Sequence, residues 1–278
     1  MRTGWRRRIS PYVLPALVLA GWEVATRLGV FPAHVLPSPS TVLQTLYLEA
    51  RSGELWAHIA ASTWRVLAGF AIGTAIAVAL GTVVGLSRGM ESFLDPTLQA
   101  IRSIPTLGWV PLLLLWMGIG EAPKLTLIAV GAFFPTYVAT TSGIRGVDRK
   151  LVEVGDVYGF NRIALARRII LPGALPSILV GLRTGMGVAW LFVVAAELIA
   201  ASRGIGFMLT DGRENSRADL ILGAIVLLAL LGKLSDGLLK WLERRLLYWR
   251  DSFAGERAGE LGSTISPTIG PRRTEVSV

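Results

Sequence analysis

Cysteine is absent from all 278 residues. Disulfides, thiolate catalysis and cysteine-based metal sites are therefore excluded. Histidine is nearly absent. His34 and His58 both precede the second long apolar run, so a histidine-based metal or acid–base centre has little to work with. Charge is sparse as well, at 17% of the chain, where a soluble domain carries about 25%. The phosphate-cradling run G-x-x-x-x-G-K-[ST] does not occur, so ATP hydrolysis of the P-loop type would have to reside in another chain. No catalytic residue, metal or cofactor is expected.

Hydrophobic residues fill the space left by charge. They make up 52% of the chain, and the mean hydropathy is +0.55. Long apolar blocks alternate with short basic ones, the pattern of an all-α, polytopic membrane protein. About six spans are expected on that pattern. The first, at 12–30, follows Arg2, Arg6, Arg7 and Arg8. A cleaved signal peptide has a similar outline, but Glu23 and Arg27 stand where a small-residue cleavage site belongs. An uncleaved helix is the better reading, on which the two can pair at a spacing of four.

Leu36-Pro37-Ser38-Pro39-Ser40 cannot lie inside a helix, because proline lacks a donor and clashes with the preceding turn. Residues 41–61 carry a weaker amphipathic pattern, predicting a helix at the membrane face. Residues 66–86 are 21 positions without a charge, long enough at ~1.5 Å per residue to cross a ~30 Å core. Gly69, Gly73, Ala77, Gly81 and Gly85 recur every fourth residue there. Such a face lets a second helix approach closely. Gly181, Gly185 and Ala189 repeat the spacing later. The remaining spans are expected at 96–120, 125–142, 177–200 and 219–237. The division is then a basic cytoplasmic N-terminus at 1–11, a transmembrane domain at 12–250 and a disordered cytoplasmic tail at 251–278, rich in Gly, Ser, Thr, Pro and Arg.

Six crossings put both termini on one side. With the N-terminus inside, segments 1–11, 87–95, 143–175 and 240–250 hold fifteen Lys and Arg, against five in 30–64, 118–124 and 201–217. That bias orients the chain with both termini cytoplasmic. It also accounts for the net charge of +9 without nucleic acid, because the charge tracks topology.

The cytoplasmic loop 143–175 is long for a connection between spans. It reads as a short helix, a break at Gly159, a basic amphipathic helix capped by Asn161, and a stop at Pro172 and Pro176 before the next span. Val154, Val157 and Tyr158 present apolar groups to the cytoplasm. Two placements would cover them: a partner protein, or the inner leaflet, with Arg162, Arg167 and Arg168 holding lipid headgroups.

Glu153, then Gly159 six residues on, nine residues, then Ile169-x-Leu171-Pro172 resembles the E-A-A-x-x-x-G-x(9)-I-x-L-P motif. That motif marks permease subunits of binding-protein-dependent ABC importers. Only its two alanines differ, here Val154 and Gly155. Leu36-Pro37-Ser38-Pro39-Ser40, the run 64–70 and the runs 231–236 and 241–247 are similar to the sulfonate, nitrate and taurine branch, most of all to aliphatic sulfonate permeases. The resemblance covers roughly 10–250. It implies a MetI-like fold, a homodimeric pore in the bacterial inner membrane, two cytoplasmic ATPase subunits and an extracytoplasmic solute-binding protein. It also implies that Glu153 to Gly159 form a coupling helix that docks on the ATPase, with Ile169, Leu171 and Pro172 completing the motif.

Several in-span residues are candidates for the pathway, each with a structural alternative. Arg102 and Arg183, near the inner ends of their spans, either snorkel to the interface or attract an anion. Glu197, near an outer end, either pairs with another span or lines an outer gate. Trp109, Trp116 and Trp190 are either belt residues or pore lining. A transporter independent of ATP would show inverted repeats and several mid-membrane charges, and neither stands out.

Overall fold

The computed structural model describes residues 3–32 and 34–247, with side chains from Val13 onward except that of Ala200. The basic side chains expected at the N-terminus and the tail 248–278 lie outside these residues. Eleven α-helices occur among the described residues, and no strand. Helix α1 (Thr3–Arg27) is followed by α2 (Pro39–Ser52) and α3 (Glu54–Leu86). Ser38 caps α2 by accepting from Thr41 N at 3.2 Å, with Pro39 in the first turn where its missing N–H costs nothing. Glu23 pairs with Arg27 at 2.6 Å and accepts from Ser40 N and Oγ at 3.1 and 2.8 Å, so α1 is tied to the start of α2.

Helix α4 (Arg88–Ser103) ends two residues before Pro105. A 3₁₀ turn (Thr106–Trp109) then leads into α5 (Val110–Met117). Proline pushes its predecessor out of the helical region, and Ile104 is accordingly extended, with φ −76° and ψ 124°. The two limbs meet at 87°. Next come α6 (Glu121–Arg145), α7 (Arg149–Val157) and α8 (Arg162–Leu165). A π-helical turn (Ala166–Ile170), α9 (Leu171–Ala200), α10 (Ile205–Glu214) and α11 (Ala218–Leu246) complete the chain.

Among the described residues four helices are long and apolar enough to cross a membrane: α3, α6, the continuous rod from Arg162 to Ile199, and α11. The bent pair α4–α5 makes a fifth. The expected third span at 96–120 falls on this bent pair. Helix α1 covers most of the expected first span at 12–30.

Helix α6 lies at the centre, between α3 and α9. Both neighbours present their small-residue faces to it. A Cβ at Gly69 would sit 2.7 Å from Ile128 Cβ, one at Gly81 2.8 Å from Thr140 Cβ, and one at Gly85 2.9 Å from Ile144 Cβ. At Gly73 the obstacle is the Ala129 backbone carbonyl. From the other side Gly181 meets Ala139, and Gly185 lies against Thr136 and Ala132. Ala77 and Ala189 are fully enclosed. Between the helices, Val66, Leu127, Ile128, Ala132 and Val193 are buried together in one apolar core.

Candidate functional site

Two constructions stand at opposite ends of α6 and α9. One is the elbow α7–α8. Asp148 caps α7 by accepting from Lys150 N at 2.9 Å, and Asn161 caps α8 by accepting from Ala164 N at 2.8 Å. Gly159 turns the chain between them with φ +74°, a region that disfavours a Cβ. Gly155 is buried under the second limb. A Cβ there would stand 2.5 Å from Leu165 Cδ1 and 2.6 Å from Ile169 Cδ1. This is where the motif carries its second alanine. Large side chains across the elbow occupy the volume instead, so the departure is compensated. Arg168 covers the Phe160 ring at 5.4 Å.

The outer face of α7 has no cover. Val157 and Tyr158 are 86% and 76% exposed, and Leu151 and Val154 about half. Glu153 is exposed and, among the described residues, pairs only with Arg149, at 3.2 Å. A contiguous apolar patch of this kind marks an interaction surface.

The second limb does not stop at Pro172, as the sequence suggested. It widens into the π-turn, where Leu171 N donates to Ala166 O, and continues into α9 with Pro172 in that helix's first turn. A π-turn re-registers the backbone and so absorbs proline's missing donor. One helical rod of 38 residues thus runs from Arg162 to Ile199.

At the far end of that rod sits a buried charge node. The Glu197 side chain is wholly enclosed, and that of Arg65 is 7% exposed. Arg65 Nη1 donates to Glu197 Oε1 at 2.7 Å and to Arg203 O at 2.6 Å. Its Nε and Nη2 grip Glu121 at 2.6 and 2.8 Å, a bidentate pair. Ser62 Oγ lies 2.8 Å from both Glu197 oxygens and accepts from Ile205 N at 2.8 Å. Gly206 N donates to Glu197 Oε2 at 2.8 Å, which sets the carboxylate at the positive end of α10. His58 Nδ1 accepts from Gly204 N at 3.0 Å. One node therefore fastens α3, α6, α9 and α10. Of its members only Glu197 was singled out from sequence. Arg65 and Glu121 lie 132 and 76 positions away from it, and nothing local signals the pairing. Beside it, α2 is tied to α11 by Thr45 Oγ1 donating to Asp219 at 2.7 Å and by Arg217 bridging Glu49 and Asp219. The Asp219 carboxylate holds the Arg217 guanidinium above its ordinary pKa.

The other candidate residues are spread through the chain. Arg183 pairs with Asp236 at 2.9 Å and Glu243 at 3.2 Å, joining α9 to α11. Trp190 is buried in the core and donates to Ser235 Oγ at 3.1 Å. Trp109 is half-buried beside the α4–α5 bend, and Trp116 is exposed. Arg102 closes the last turn of α4. It is exposed and has no ion partner among the described residues.

Residues 55–248 match the model of the family described as binding-protein-dependent transport system inner membrane component. The chain belongs to that family. The permease is 43% identical over 254 residues to a putative aliphatic sulfonates transport permease of Bacillus subtilis (strain 168), covering 91% of each chain. It is 44% identical over 249 residues to its Escherichia coli (strain K12) counterpart, covering 90% of this chain and 95% of that one. Its fold is that of the MetNI methionine ABC transporter in an inward-facing structure, with TM-score 0.63 at 19% identity over 71% of the permease and 98% of that chain. The permease is thus a multi-pass inner-membrane subunit of an ATP-binding-cassette importer, which works with an ATPase and a solute-binding protein.

Proposed function

We propose that two copies of the permease form the pore for a small organic anion, an aliphatic sulfonate, and that the pore subunit itself catalyses nothing. Two ATPase subunits dock on the two elbows from the cytoplasm, where both termini also lie. The binding protein delivers solute at the node end, with 31–64 and 201–217 facing outward. The observation that carries the reading is the bare apolar face of α7 on an elbow that matches the importer motif. Glu153, Val154, Val157 and Tyr158 supply the docking surface. Gly155, Ile169, Leu171 and Pro172 fix its angle, and Gly159 turns it. The orientation is supported by the threefold excess of Lys and Arg on the elbow side. The sulfonate assignment is supported by the two relatives, and taurine or nitrate would be its nearest competitors.

The test is uptake of a radiolabelled alkanesulfonate into liposomes holding the permease with its ATPase, binding protein added outside. Uptake should require ATP on the elbow side and both partners. Uptake by the permease alone, without an ATPase, would make it an ATP-independent transporter.

A further inference from the structure

Arg102 is the one in-span candidate whose charge the described structure leaves unanswered, and its depth is fixed by its neighbours. Helix α4 climbs along α6. Glu91 pairs with Arg145 at the elbow end of α6, at 2.6 Å, and Asp95 accepts from Tyr137 two turns further along, at 3.0 Å. Leu98 and Ile101 then line an apolar recess with Val130, Phe133, Phe134 and Trp109. Phe133 stands twelve residues from either end of α6, about 18 Å of rise each way. Arg102 follows Ile101, so it lies level with the middle of α6.

Two features at that depth demand water. A guanidinium at the bilayer centre is costly unless it faces a partner or an aqueous cavity. Non-helical backbone at membrane depth is tolerated only when buried in protein or lining such a cavity. Arg102 is exposed with no ion partner among the described residues, and Ile104 and Pro105 are exposed and outside any helix. The charge and the open backbone coincide at the 87° break.

We infer that Arg102 is the specificity-determining cation of the pathway, placed by the α4–α5 break at mid-membrane, where it selects the acidic headgroup of the solute. This deepens the proposed function and rests on it. In the assembled pore the break faces the aqueous seam between the two copies. An elongated tetrahedral or planar oxyanion meets the guanidinium there, and the apolar recess beside it accepts a short alkyl chain. Cations and neutral analogues lose that contact.

The absence of native cysteine makes the site directly addressable. Arg102→Cys, in the full complex with ATPase and binding protein, should react with methanethiosulfonate reagents applied in water and should lose at least tenfold in alkanesulfonate uptake. An aminoethyl adduct, which restores a positive charge, should recover most of that uptake. A sulfonatoethyl adduct of similar bulk should not. Arg102→Gln should lose uptake while subunit co-purification and ATP hydrolysis stay intact, and Arg102→Lys should retain a large part. An unreactive thiol, uptake by Arg102→Gln equal to the native rate, or equal rescue by both adducts would each overturn the assignment. If the native complex itself failed to take up the sulfonate with ATP, the proposed function would fall first, and the two failures remain distinguishable.

Discussion

Without its guanidinium, the Arg65 position would leave Glu197 enclosed with only Ser62 and the α10 backbone to answer its charge. Breaking one side of a buried pair costs about 3–5 kcal/mol, mostly because the other charge is stranded. Arg65→Met should therefore lower the thermal midpoint of the detergent-solubilised permease markedly. Arg65→Met combined with Glu197→Met should be less unstable than the two single losses added together. A thermal unfolding series over the four variants checks this, and strict additivity would show that the node is not a coupled unit. At Gly159 the requirement is conformational. An alanine at φ +74° should cost about 1–2 kcal/mol of local strain, read as weaker recovery of the ATPase on co-purification with membrane insertion unchanged.

At the scale of elements, α6 is held because its neighbours lack side chains where they touch it. Gly73→Ala drives a methyl into the Ala129 carbonyl, which cannot step aside as a side chain can. The expected cost is about 1–3 kcal/mol. Gly237→Ala on α11 meets nothing within 4 Å and should be neutral or slightly stabilising. Equal effects in a melting comparison would contradict the packing account. This contact was legible in the sequence because a four-residue spacing of glycines is a local pattern. So were the cap at Asn161 and the turn at Gly159, which depend on one residue and its backbone. The fate of Pro172 and Pro176 was not. A π-turn forms or fails according to how the flanking helices are held, and no residue type announces it. The α4–α5 break was half visible: Pro105 lies inside the span expected at 96–120, but a bend of 87° needs the packing of both limbs.

At the scale of the molecule, one rod joins the elbow to the charge node. The π-turn at its base is its only irregular stretch. On the proposed docking, a push on α7 from an ATPase would be applied to a stiff lever whose far end, Glu197, holds α3, α6 and α10. Sequence alone placed Glu197 near the outer end of its span but could not name its partners, because Arg65 and Glu121 come from helices far apart in the chain. The elbow itself was legible because the motif is local, and the structure adds which of its faces is bare. The most direct measurement is a cross-link. Val157→Cys, unique in a chain without cysteine, should form a disulfide or short thiol bridge to a cysteine placed on the ATPase surface in native membranes, and ATP binding should change its yield. A thiol that gives no such bridge and instead reacts with an impermeant reagent outside intact cells would contradict the account.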